Sequence, residues 1–155
     1  MGAIFNVFPL LLVPVLIYNI WAFGSTAVRV TAADVRRHLE SDRMFSIPMA
    51  SSETVNGVVQ PVMWDVSFGT LLVLLALFFL FIELLKSTST GTSAIFNHAL
   101  SMLVFIICLV EFLLHPAFAT STFFIIMIMS LLDVLAGVVV TIVSARRDVE
   151  FAGHN

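Results

Sequence analysis

Apolar residues gather in four long runs, at about positions 4–23, 66–85, 94–115 and 121–143, divided by one long polar stretch and two short ones. Each run is close to the length of about 20 residues that carries a helix across a hydrocarbon core about 30 Å thick. The pattern predicts an all-α integral membrane protein with four transmembrane helices in an antiparallel bundle, a single membrane domain over residues 1–155. Runs two, three and four are joined by short turns, which makes them consecutive antiparallel neighbours. Residues 24–65 form a long, partly helical interfacial loop between the first two helices, and residues 144–155 a short polar tail.

Within that frame, single residues sharpen the picture. Pro9 and Pro14 should bend the first span, because each removes a backbone donor and crowds the carbonyl four residues back. Trp21 closes the first span and Trp64 opens the second, which places both indoles at one membrane face in the manner of an aromatic belt. In the loop, Thr31 caps a short helix whose first turn holds Asp34. Val35 and Leu39 share one face of it, and Asp34–His38 and Arg36–Glu40 are helical-neighbour pairs on the others. Pro48, Gly57 and Pro61 argue against a long regular element after it, and residues 58–63 are left open as an extended segment. His115-Pro116 ends the third span, and Thr120, Ser121 or Thr122 caps the fourth.

Composition narrows the function classes. The chain is 60% hydrophobic and 11% charged, with a mean hydropathy of +1.10, against about 45–50% and about 25% for a soluble domain. Its formal charge of -3 leaves no basic excess to neutralise phosphates, so no nucleic-acid partner is expected. Cys108 has no partner in its own chain and builds neither a disulfide framework nor a thiolate metal site. The first run lacks a basic leader and is longer than a signal-peptide core, so it is read as a retained span despite the small residues at 25–27.

Candidate chemistry rests on polar residues inside the runs. Glu83, Glu111 and Asp133 lie within or at the ends of apolar stretches that hold no Lys or Arg. A charge at the bilayer centre is opposed by about 2.5–3.5 kcal/mol on insertion scales, so such groups are functional candidates. Glu83, three residues before Lys86, is expected to reach water or to pair with that lysine, with His98 as another partner. Glu111 and His115, four apart, make a ready hydrogen-bonded pair. Asp133, near mid-span, must be protonated, hydrated or paired across an interface, and is the foremost candidate.

Alternating spacings of three and four set small and polar residues on stripes: Gly69, Ala76 and Glu83; Asn97, Ser101, Cys108 and Glu111; Ser130, Asp133 and Gly137. Such stripes are helix-packing seams, because small residues let backbones approach closely in lipid. His98 and His115 are roughly a third of a turn out of register on one helix, and no other span holds a histidine, so no haem or other cofactor is expected. Glu111 and His115 supply two metal ligands where catalytic zinc takes three from protein, so no metal is expected. No catalytic motif occurs, and an enzyme acting on lipid through Glu111 and His115 has only their proximity behind it.

The expectation is therefore a non-enzymatic membrane protein that acts through helix–helix contacts, as a homo-oligomer or an accessory subunit of a larger membrane complex. Its partners are the lipid bilayer and itself or other membrane subunits. The alternative is an oligomer conducting protons or cations along intramembrane carboxylates, chiefly Asp133. In plan the chain resembles small four-helix inner-membrane proteins of bacteria, a likeness of architecture without a diagnostic motif, which implies the bacterial inner membrane. Lys86, Arg146 and Arg147 adjoin span ends directly, so both termini are placed in the cytoplasm, although Arg29, Arg36, Arg37 and Arg43 lie on the other side.

Overall fold

A computed structural model describes residues 7–27, 31–87 and 92–152. Helix α1 (Leu12–Ala27) leads to the short α2 (Ala32–Glu40), an antiparallel hairpin of β1 (Arg43–Val55) and β2 (Val58–Ser67), then α3 (Phe68–Ser87) and α4 (Thr92–Leu114). A single 3-10 turn (Pro116–Phe118) precedes the last helix, α5 (Ser121–Ala152). Three helical stretches, Phe68–Lys86, Ile95–Leu114 and Ser121–Val143, are long and apolar enough to cross a membrane, which makes the chain compatible with membrane integration. The expected first span is apolar but shorter, its described helix covering 16 residues; residues 1–6, where that span was to begin, lie outside the described residues. So do 28–30, which include Arg29, the turn at 88–91 and the end of the tail at 153–155. The rest of the tail is no separate segment, since α5 runs on through it to Ala152.

The prolines set the start of α1 rather than bending it. Pro9 lies ahead of the helix in a turn closed by Leu12 N–H to Pro9 O at 3.1 Å and Val13 N–H to Leu10 O at 3.0 Å. Pro14 falls in the first turn, where the amide it lacks would have no helical acceptor anyway. Helix α2 forms as the sequence reads. Thr31 Oγ1 accepts from Asp34 N at 3.2 Å, and the Asp34 carboxylate accepts from Thr31 N at 3.2 Å, a reciprocal capping box. The Thr31 hydroxyl, followed by that backbone amide, holds the Asp34 carboxyl below the usual range. Val35 and Leu39 are both buried. The charged pairs differ from those expected: Asp34 faces Arg37 at 3.7 Å, and His38 meets Asp42. Glu40 turns instead to the start of α5, where its Oε1 accepts from Ser121 N at 2.7 Å.

The hairpin overturns both the all-α reading and the argument against a regular element here. Asn56 (φ 52°) and Gly57 (φ 81°) form its two-residue turn, both in the left-handed region that such a turn demands. Pro48 and Pro61 are tolerated because a two-stranded sheet consists of edge strands, each with a row of amides that need no ladder partner. Pairing is irregular between Pro48 and Ser52. Trp64 therefore sits on β2 opposite Ile47 and does not open a helix; Trp21 stacks near Phe68 at 5.8 Å.

Helix α5 is the hub: 44% of its apolar stretch is buried, against 28% in α3 and 22% in α4. Leu11, Val15, Tyr18, Leu72, Ala76, Val104, Cys108, Phe123 and Ile126 form one apolar core among α1, α3, α4 and α5. At the hairpin end, Tyr18 donates to Ala117 O at 2.9 Å and shares a 2.8 Å hydrogen bond with Thr120 Oγ1. Thr120 in turn caps α5, accepting from Phe123 N at 3.1 Å. Gly69 is where α2, α3 and α5 crowd most closely: a Cβ there would lie 2.5 Å from Thr122 Oγ1 and 2.6 Å from Leu39 O. Gly69→Ala should therefore cost about 1–3 kcal/mol of overpacking, whereas Gly24→Ala meets nothing within 4 Å. Thermal unfolding in detergent, followed by circular dichroism, should show a lowered midpoint for the first variant only; equal midpoints would contradict the close approach.

Candidate functional site

Five buried polar residues, Glu83, Asn97, Ser101, Ser130 and Asp133, lie in one region between the end of α3, the first half of α4 and the middle of α5. Glu83, in the last turns of α3, is fully buried and accepts from three donors. Leu10 N donates to its Oε2 at 2.9 Å, Lys86 Nζ lies 3.2 and 3.1 Å from its two oxygens, and Asn97 Nδ2 donates to Oε1. Lys86 shares the burial, its side chain 9% exposed, and donates also to Phe8 O at 2.7 Å. Spacing explains the pair, since residues three apart on a helix are neighbours. The amide of Leu10 is free to take part because it precedes α1. Glu83 thus does not reach water; it ties the start of α1 to α3 and α4.

One turn further along α4, Ser101 faces Asp133 of α5. Asp133 is 1% exposed and Ser101 2%. Asp133 lies beside the Ser101 hydroxyl, and the charges of Glu83 and Lys86 act on it. Yet neither of its oxygens has a hydrogen-bond partner among the described residues, and nor have Ser101 Oγ, Asn97 Oδ1 and His98 Nδ1. His98 does not bond to Glu83; its ring lies over Gly137, where any Cβ would collide with it. That contact lets α4 and α5 approach closely. Ser130 turns its hydroxyl back to Met127 O at 2.7 Å on its own helix.

The seam residues are thereby placed. Gly69, Ala76, Ser101, Ser130 and Gly137 are all buried within one chain, where they pack α3, α4 and α5 on one another rather than leaving a stripe open on the surface. Glu111 and His115 lie at the other end of α4 and are drawn to different partners. Glu111 accepts from Asn19 Nδ2 at 3.2 Å, while His115 Nδ1 accepts from Ala117 N at 3.3 Å and its ring packs on Phe23 and Phe118. The expected side-chain pair gives way because His115 serves as the cap of the 3-10 turn.

Sequence reasoning missed the Leu10 amide, the Phe8 carbonyl and the locking role of Tyr18. A signal existed for Tyr18, the single tyrosine of the chain, three residues after Val15 and seven after Leu11 on the stripe that becomes buried. Chemically, the region holds hard oxygen acceptors, with no activated nucleophile beside them among the described residues. Among the described residues no three His, Cys, Asp or Glu side chains converge on a metal position. The orphaned oxygens of Asp133, Ser101 and Asn97 suit a proton, a water molecule or a hard cation.

The Glu83–Lys86 pair has a testable signature. Lys86→Met leaves a buried carboxylate without its cation and should cost about 3–5 kcal/mol, whereas adding Glu83→Gln should recover most of the loss. Unfolding of both variants in mixed micelles checks this; a double variant no more stable than Lys86→Met would contradict it.

No protein-family model, curated protein or solved structure matches this chain.

Proposed function

We propose that the chain is a non-enzymatic membrane protein that acts by contact, as an accessory subunit of a larger membrane complex or as a homo-oligomer, with the hairpin as its docking element. In this reading α1 joins the three long helices in an antiparallel four-span bundle. The Glu83–Leu10 bond supports that direction, because it brings the start of α1 to the end of α3. Basic residues adjoining the span ends favour both termini inside the bacterial inner membrane.

The hairpin is the observation that carries the reading. Its strands of 13 and 10 residues are almost wholly exposed on both faces. An isolated two-stranded hairpin is marginally stable in water at best, so its lasting structure calls for something to cover it. Alternation along the strands places Phe45, Ile47, Val62 and Trp64 on one face, with Phe45, Ile47 and Trp64 46%, 39% and 49% exposed. The other face carries the Ser46–Asp65 hydrogen bond at 2.5 Å and the Arg43–Asp65 pair at 3.6 Å. An apolar face rimmed by polar groups is the form of a protein interface. Since the helix seams are consumed within the chain, this face takes over the role the seams held in the sequence.

Light scattering after extraction in mild detergent tests the proposal. The wild type should travel in an assembly larger than its own 17.1 kDa. Phe45→Ser, Ile47→Ser and Trp64→Ser together should release it while helical content persists. A wild-type chain found alone at 17.1 kDa would overturn the reading.

The orphaned carboxylate of Asp133 favours a second reading, proton or cation conduction. Against it stands the apolar core around Tyr18, Val104, Cys108 and Ile126, which separates the polar region from the other end of the helices. Asp133→Asn keeps the shape and cannot ionise. Flux through reconstituted liposomes that disappears in this variant alone would put conduction first; absence of flux in the wild type removes it.

A further inference from the structure

We infer that the groove between the first turns of α3 and α5 is a binding site for one zwitterionic phospholipid whose headgroup carries a primary ammonium. This rests on the membrane part of the reading above, not on the docking role of the hairpin. The groove has a volume of about 480 Å³ and opens sideways between the two helices. Its rim holds the Glu40 carboxylate and the hydroxyls of Ser67, Thr70 and Thr122, and its floor is made by Leu74 and Ile125. The order along the helices matters. Thr70 and Thr122 lie in the first turns, and Leu74 and Ile125 follow about one turn on, so the groove grows apolar toward the middle of the spans. Leu74 is 50% and Ile125 41% exposed, so the floor is open to whatever lies beside the helices. Polar at the interface and apolar with depth is the profile of a lipid, headgroup above and acyl chain below.

Thr122 supplies an independent pointer to a ligand. It is 7% exposed and lines the groove, and no hydrogen bond to its hydroxyl is made among the described residues. A hydroxyl at the groove wall can both donate to and accept from a ligand's polar group. Gly69 holds it there: the missing Cβ is what lets Thr122 Oγ1 pack against α3. The starts of two helices of 20 and 32 residues meet at the same rim and favour a negative phosphate beside the hydroxyls.

Charge selects the rest of the headgroup. Among the described residues the charged side chain of the groove is Glu40, one of whose oxygens is engaged by Ser121 N. Among the described residues no lysine or arginine lines the groove to offset a headgroup of net negative charge. A phosphate accompanied by an ammonium satisfies both ends, the phosphate at the hydroxyls and helix starts and the ammonium at the remaining Glu40 oxygen. A primary ammonium donates hydrogen bonds to that oxygen, whereas a quaternary one has none to give. Phosphatidylethanolamine has this chemistry; phosphatidylcholine and phosphatidylglycerol each lack part of it.

The test uses the full chain in nanodiscs of phosphatidylcholine doped equally with phosphatidylethanolamine and phosphatidylglycerol, with the lipid retained after transfer to detergent counted by native mass spectrometry. One phosphatidylethanolamine per chain is expected, enriched at least fivefold over either competitor. Glu40→Gln keeps the acceptor for Ser121 N and removes the charge, so it should abolish the preference for ethanolamine over choline. Leu74→Trp fills the floor and should abolish retention; Ile125→Trp does the same from the opposite wall, should the first variant fold poorly. Equal retention of the three lipids, or retention unchanged when the floor is filled, would overturn the proposal while leaving the hairpin reading intact. A chain that enters no nanodisc would overturn it together with the membrane reading.

Discussion

Burying Glu83 is the constraint around which the other helices are arranged. A carboxylate removed from water is costly unless hydrogen bonds replace its hydration, and here a backbone amide, an ammonium and a carboxamide do so. Those donors come from the residue ahead of α1, from α3 itself and from α4, so satisfying one side chain fixes three segments. Apolar surfaces in lipid supply little preference for one partner over another, because lipid tails are as apolar as Leu. A polar knot restores that preference. The prolines then have a clear place, since Pro9 ahead of the helix leaves the neighbouring Leu10 amide free to be donated.

The opposite end is held by different means. Tyr18 reaches from α1 to the loop before α5, while Glu40 and Thr120 satisfy amides at the start of α5. These contacts are neutral or rim-exposed and bring α2 and the base of the hairpin onto the helix ends. Between the two ends lies an apolar core, and Asp133 sits on its polar side with neither oxygen hydrogen-bonded among the described residues. Such an orphan marks a position that a proton, water or ion completes.

Much of this was legible in the sequence where periodicity or local chemistry carries the information. Runs of apolar residues located α3, α4 and the apolar part of α5, and the Thr31–Asp34 spacing located the cap of α2. The hairpin is not legible from the same habits, because Pro48, Gly57 and Pro61 read as breakers of a regular element. That rule holds for central strands, and this sheet has none; the turn signal Asn56-Gly57 between valines was the better guide. The residues of the stripes at Gly69, Ser101 and Gly137 are buried within the chain, and periodicity cannot tell whether a seam closes within a chain or between chains. Glu83 was the hardest, since its main partners include a backbone amide more than seventy residues away.

The amide of Leu10 offers the most direct test of the Glu83 knot. It precedes α1 and takes no helical acceptor, so its protection depends on the carboxylate. Hydrogen exchange measured by NMR in micelles should show a slowly exchanging Leu10 amide in the wild type and a fast one in Glu83→Ala, with the amides at the middle of α5 still protected in both. A Leu10 amide that exchanges at the same rate in the two proteins would contradict the account.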